Sequence, residues 1–166
     1  MDGQALFGIV QGGVELDLRE RSARELIDLE FPGYAVGGLS VGEPPPERDR
    51  VLDHLDPILP GDRPRYLMGV GTPEDLIESV ARGVDMFDCV LPTRLARAGV
   101  VFTRAGSYRI TAKRYRKDRY PPDTDCACYT CANFSRLYIH HLLKSKEILG
   151  TVLMSLHNLA FYFRLM

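Results

Sequence analysis

Short apolar runs alternate with amphipathic stretches through the first half of the chain. Residues 5–10 are an unbroken apolar run of strand length, and Gln11-Gly12-Gly13 follows as a loop. Leu18, Ser22, Leu26 and Leu29 recur at helical spacing, which predicts one face of a helix that stops at Pro32-Gly33. Residues 34–39, 65–70 and 85–90 predict three further strands, with a Gly-containing loop over 40–43. Residues 46–55 predict a helix closed by Pro57 and Pro60. Thr72-Pro73-Glu74-Asp75 is a helix start, with Thr72 as N-cap, Pro73 at the first position and Asp75 as reciprocal capping acid. That helix is predicted to run to about residue 82. Four such alternations with short connections imply an α/β fold of parallel βα units. They suit half of a (β/α)8 barrel or part of an open doubly wound sheet, with the active face at the loops after the strands.

After residue 90 the period changes. Residues 100–102 and 108–111 flank Ala105-Gly106-Ser107, a hairpin signal, and helical stretches follow over 134–146 and from 148 onward. Two domains are therefore predicted, 1–93 and 94–166. The last stretch is still apolar and uncapped at Met166, an abrupt end that suggests truncation.

Charge sharpens that division. Residues 1–93 hold 18 acids and 8 bases, a balance of −10, whereas residues 94–166 hold 13 bases and 4 acids, or +9. Nine bases fall between Arg94 and Arg119 (Arg94, Arg97, Arg104, Arg109, Lys113, Arg114, Arg116, Lys117, Arg119) against the single acid Asp118, with Tyr108, Tyr115 and Tyr120 interleaved. Such a stripe is either a solvated basic surface or a footprint for phosphates. The other bulk numbers, 45% hydrophobic and 26% charged over 166 residues, are ordinary for a globular chain. No apolar run is read as reaching bilayer length, and no basic-then-apolar leader opens the chain. Clustered cysteines without such a leader predict a reducing, cytoplasmic setting and no membrane partner.

Three of the four cysteines lie in Cys126-Ala-Cys128-Tyr-Thr-Cys131. Three thiolates with an imidazole would close a tetrahedral shell, as in a structural Zn2+ site. His157 is the predicted fourth ligand, with His140 and His141 as competitors and a core histidine as the bland alternative. A redox pair of Cys128 and Cys131 would leave Cys126 idle. Cys89 stands apart in a predicted strand, where a buried structural thiol is expected.

Several strings then read together. Phe7-Gly8-Ile9-Val10-Gln11-Gly12, Gly37-Gly38-Leu39-Ser40-Val41-Gly42-Glu43, Tyr66-Leu67-Met68-Gly69-Val70-Gly71 and Asp85-Met86-Phe87-Asp88-Cys89-Val90-Leu91-Pro92-Thr93-Arg94 resemble the tRNA-guanine transglycosylases in their bacterial form. The cysteine cluster and the stretch from Glu147-Ile148-Leu149-Gly150 to His157-Asn158 fit the same family. The resemblance implies the C-terminal half of a (β/α)8 barrel, strands five to eight, with an inserted zinc-binding subdomain and truncation at both ends. It implies exchange of a wobble guanine in tRNA for 7-aminomethyl-7-deazaguanine, with Asp88 as covalent nucleophile. Asp85 is the rival carboxylate, but it would point to the opposite side of a strand.

Base binding falls by resemblance to Gln11, Gly38, Leu39, Val41 and Met68. RNA contacts fall to Gly69, Val70, Gly71, Thr72, Pro73, Glu74 and Asp75, and to Thr93, Arg94, Leu95, Ala96 and Arg97. The family's proton-transfer aspartate is not matched in this sequence, so the chain alone is expected to be inactive. It is expected to act as a homodimer or with a missing N-terminal half. The alternatives are a non-catalytic, zinc-dependent tRNA-binding subunit and an archaeal-type relative.

Overall fold

The computed structural model describes residues 3–166. The chain divides into two compact units, the first ending at Cys89 and the second beginning at Val90.

The first unit is a parallel sheet of four strands, β1 (Phe7–Val10), β2 (Gly33–Val36), β3 (Arg65–Leu67) and β4 (Met86–Phe87). Three helices connect them: α1 (Leu16–Ile27), α2 (Pro45–Leu55) and α3 (Pro73–Val80). The strand order is β1-β2-β3-β4, without the reversal that defines a doubly wound sheet. Val10, Val36 and Leu67 from the strands meet Val51, Leu52 and Leu55 of α2 in one core.

All four strands are shorter than the runs that predicted them, and β2 and β3 stop for a shared reason. The chain leaves β2 at Gly37-Gly38, with Gly38 at φ +64°, and leaves β3 at Gly69, with φ +75°. Left-handed backbone cannot continue an extended strand. The ladder gives one last bond on each side, Gly37 N to Val10 O at 3.1 Å and Met68 N to Val36 O at 3.3 Å. The predicted strand over 85–90 keeps only two residues, because the chain turns into a helix at Leu91.

The face assigned to α1 needs correction. Leu18 is 49% and Leu29 65% exposed, while Arg19 and Ala23 are fully buried. Leu29 lies beyond the helix end, and the buried stripe runs instead through Leu16, Arg19, Ala23 and Leu26. The cap of α3 forms as read. Thr72 Oγ1 accepts from Asp75 N at 3.2 Å, and Thr72 N donates to Asp75 Oδ2 at 2.8 Å.

The second unit opens with α4 (Leu91–Arg97), where the sequence pattern predicted no element. It continues through an antiparallel hairpin of β5 (Val100–Thr103) and β6 (Gly106–Arg109), turning at Arg104-Ala105. A 3₁₀ turn (Lys113–Lys117) and helices α5 (Tyr129–Asn133), α6 (Arg136–Lys144) and α7 (Ile148–Leu165) complete it. The helix expected over 134–146 starts late because Ser135 caps α6, accepting from Tyr138 N at 3.3 Å.

A second correction concerns α7. It is long and apolar enough to cross a membrane by length and composition, contrary to the reading that no apolar run reaches that length. Within this unit it is the central helix, with Leu153, Met154, His157 and Asn158 buried. Asn158 donates to the carbonyls of Pro92 and Val100, both at 3.0 Å, and accepts from Phe102 N at 3.3 Å. A fully buried amide that meets three backbone groups fixes α4 and β5 to α7.

Candidate active site and metal centre

The strand ends of the first unit gather the groups predicted to act. Asp88 follows β4 directly and is exposed. Its Oδ1 accepts from the Tyr66 hydroxyl at 2.6 Å and from Gly69 N–H at 2.7 Å. The Tyr66 hydroxyl, then the Gly69 N–H, hold the carboxyl below the ordinary carboxylate range. The same bond raises the Tyr66 hydroxyl. Asp88 is therefore an ionised, solvent-facing carboxylate on a strand end, which is what a nucleophile requires. Asp85 has a different fate: its Oδ2 accepts Arg65 N at 2.9 Å and closes the start of β3.

Gln11 is exposed, with its backbone N–H bound to Ser22 Oγ at 3.1 Å. Its amide lies over the Gly37-Gly38 turn. A Cβ at Gly37 would come within 2.6 Å of Gln11 Nε2, and one at Gly38 within 2.6 Å of Oε1. These glycines therefore make room for the glutamine head group. Leu39 is buried, Met68 is half-buried and Val41 is 83% exposed. The loop carrying Val41 is folded onto Glu43, whose carboxylate accepts the N–H groups of Ser40 and Val41.

Sequence reasoning missed Arg19. Fully buried, it donates to the carbonyls of Gly13 (2.8 Å), Val10 (2.9 Å), Gly37 (2.7 Å) and Gly38 (3.3 Å). One guanidinium thus ties the loop after β1 to the loop after β2. Its place on the helix stripe, between Leu16 and Ala23, was the available signal.

Of residues 69–75, Gly69 and Glu74 are exposed, whereas Val70 and Gly71 are buried and Thr72, Pro73 and Asp75 are half-buried. Asp75 also bonds the buried Arg48 at 2.8 Å, so its carboxylate is already engaged in packing α3. Cys89 is half-buried rather than buried, its thiol 3.2 Å from Gly71 O. In α4, Arg94 and Arg97 are exposed, Thr93 and Leu95 half-buried, and Ala96 fully buried.

The second unit brings Cys126, Cys128, Cys131 and His157 together, their ligand atoms all within 4.8 Å of one another. His157 Nε2–H donates to Phe102 O at 2.9 Å, which leaves Nδ1 as the lone-pair nitrogen. Nδ1 stands 3.3 Å from the Cys131 sulfur and 3.5 Å from that of Cys128. A tetrahedral ion with bonds of about 2.3 Å to sulfur and about 2.0 Å to nitrogen has S···N edges of about 3.5 Å. The donor set fits a metal ion. Burial lowers the His157 imidazole, and it raises the Cys126 and Cys131 thiols. Neutral imidazole is the ligand form, while the buried thiols need a cation before they give up their protons. His140 is not part of this group, and its Nδ1 bonds Ile110 O at 2.9 Å instead. No disulfide joins the four cysteines.

Charge is handled differently in the two units. Of the eight bases before residue 90, Arg19 is buried on carbonyls and the other seven form ion pairs. All nine bases from Arg94 to Arg119 are exposed, and among the described residues none is in an ion pair. Two of the interleaved tyrosines turn inward: Tyr108 and Tyr115 pack at 4.8 Å, and only Tyr120 is exposed.

The profile of the queuine tRNA-ribosyltransferase family matches residues 1–166. The chain belongs to that family. Relatives named queuine tRNA-ribosyltransferase from Acidithiobacillus ferrooxidans, Desulforamulus reducens and Thiobacillus denitrificans are 63%, 60% and 59% identical. These alignments cover 97%, 99% and 98% of this chain, and 43%, 45% and 44% of the respective relatives. The chain thus spans less than half the length of the queuine tRNA-ribosyltransferases that it matches.

Proposed function

We propose that this chain carries the nucleophile-bearing part of a tRNA-guanine transglycosylase. The single observation behind the reading is Asp88, ionised and exposed at the end of β4 with both donors on Oδ1. The unreversed strand order supports strands five to eight of a (β/α)8 barrel, with β1 and β4 as the edges that pair with its remaining strands.

In the proposed reaction Asp88 attacks C1′ of the wobble nucleotide while the C1′–N9 bond breaks. Guanine leaves with a proton from an acid outside this chain. An incoming 7-aminomethyl-7-deazaguanine loses its N9 proton and displaces the aspartate, and no phosphodiester is cut. The Gln11 amide and the backbone at Gly38 and Leu39 read the base edge, Met68 lies against its face, and Val41 borders its substituent. Gly69, Glu74, Arg94 and Arg97 meet the anticodon loop through exposed atoms. Val70, Gly71 and Ala96 are buried, backbone included, so they do not touch the RNA and instead hold the two segments in shape, which Thr72, Pro73, Asp75, Thr93 and Leu95 complete. The ion at Cys126, Cys128, Cys131 and His157 is Zn2+ in a structural role, and the setting is cytoplasmic.

Labelled guanine exchange into tRNA tests this reading. The chain alone should give no turnover, and adding the remaining segment of the Acidithiobacillus ferrooxidans relative should restore it. Full turnover by the chain alone would remove the division of labour, and none in the combined assay would sink the enzymatic role. The second reading, a zinc-dependent tRNA-binding subunit or homodimer without catalysis, rests on the unpaired bases of the second unit. It predicts tRNA binding with no exchange in either case.

Tyr66→Phe probes the nucleophile. Asp88 reacts as the carboxylate, and its lowered pKa keeps that form present as pH falls below the usual range. Removing the largest stabiliser moves the pKa up, so the acid limb of the exchange profile should shift to higher pH. An unmoved limb would disconnect Tyr66 from the reaction.

A further inference from the structure

A groove of about 600 Å³ opens in the second unit between the 3₁₀ turn and α6. Its lining is Thr111, Lys113, Arg116, Leu137, His140, His141 and Lys144. Three fixed cations and two imidazoles converge there, and no carboxylate is among the lining residues. Lys113, Arg116 and Lys144 are exposed and form no ion pair among the described residues. The nearest acid in sequence, Asp118, is already bound by Arg136 at 2.9 Å. The first unit, by contrast, pairs its exposed arginines. Like charges gathered in one concavity repel, and a bound polyanion turns that cost into attraction.

The walls are also held in place. Tyr115, within the 3₁₀ turn, is buried against Tyr108, and the Tyr108 hydroxyl donates to Pro122 O at 2.6 Å. His140 is anchored through Nδ1 to Ile110 O. An Arg fork, two ammonium groups and a threonine hydroxyl on a fixed frame suit the oxygens of a phosphate.

We infer that this groove binds backbone phosphates of the RNA substrate. The inference rests on the tRNA reading above and adds to it an anchoring site of which α6 forms one wall. Lys144 and His141 lie outside the basic stripe, so the sequence did not group them with it. Adjacent phosphates of one RNA strand would sit against Arg116 and the two lysines, and the exchange site would gain affinity without a change in chemistry.

The test is anisotropy of labelled tRNA with the triple variant Lys113→Ala, Arg116→Ala, Lys144→Ala. A control removes three paired charges elsewhere: Arg21→Ala, Arg24→Ala, Arg63→Ala. The groove variant should bind at least about tenfold more weakly at low salt. Its plot of log Kd against log salt should flatten by about two, at roughly 0.7–0.9 per lost phosphate contact. The control should bind as the parent does. Unchanged affinity and slope in the groove variant would overturn the inference while leaving the tRNA reading intact. Equal weakening by both variants would also overturn it, since net charge would then suffice. If the parent chain binds no tRNA, the tRNA reading and this occupant fall together. Tripolyphosphate, followed by the amide resonances of residues 113–117 and 137–144, then reports whether the groove is an anion site for another ligand. Matched circular dichroism and metal content exclude misfolding of the variants.

Discussion

Asp88→Asn should abolish the covalent protein–RNA adduct and lower guanine exchange by about 10⁴-fold or more in the combined assay. The amide is nearly isosteric, so the hydrogen bonds from Tyr66 and Gly69 can persist while the nucleophilic charge is lost. RNA affinity should stay within a few-fold of the parent, because the bases that meet phosphate lie elsewhere. Asp85→Asn is the matched control. Its carboxylate is bound to the β3 backbone, so it should cost stability and leave the adduct in place. A denaturing gel that shows adduct in Asp88→Asn, or none in folded Asp85→Asn, would move the nucleophile away from Asp88.

Removing the metal should have the other large effect, on folding. His157 is fully buried, holds the β5 carbonyl of Phe102, and lies on α7 beside Leu153 and Met154. Thr130, next to Cys131, donates to Leu153 O at 2.7 Å, so the cysteine segment and α7 share one connection. Without an ion, buried thiols and a neutral imidazole crowd the site with few bonds of their own. Structural zinc sites contribute on the order of 10 kcal/mol of apparent folding free energy. Chelation, or Cys131→Ala, should therefore melt the second unit and abolish tRNA binding. The first unit has a separate core and should keep its sheet. Each ligand thiol must release a proton on binding, so metal affinity should rise with pH. Urea unfolding with and without chelator checks this, and an unchanged second unit would defeat the assignment.

Much of the site was legible in residue type and spacing. Cys126, Cys128 and Cys131 lie so close in sequence that local chain geometry nearly suffices to bring their sulfurs together. The Thr72–Asp75 cap is equally local, which is why it formed as read. His157 was the predicted fourth ligand against His140 and His141, and the structure brings it to the three cysteines. His157 and His140 both lie on apolar helical faces, and only the packing of α7 on β5 turns one imidazole toward the cysteines and leaves the other on Ile110 O.

The strands were placed by their apolar runs, but their ends were set by glycines in left-handed conformation and by α4. A run of hydrophobic residues reports burial, not where the hydrogen-bonded ladder stops. Arg19 was missed because its charge argued against the buried stripe on which it lies, and two of the four carbonyls that stabilise it, at Gly37 and Gly38, come from a loop distant in sequence. The sequence by itself determined the βα alternation, the charge division, the donor set for a metal and the carboxylate at the end of β4. Only the tertiary structure decided which donors meet Asp88, how His157 is turned onto the thiols, and that Lys113, Arg116 and Lys144 share one groove. Those three facts depend on contacts between segments far apart along the chain, which packing selects and local spacing cannot.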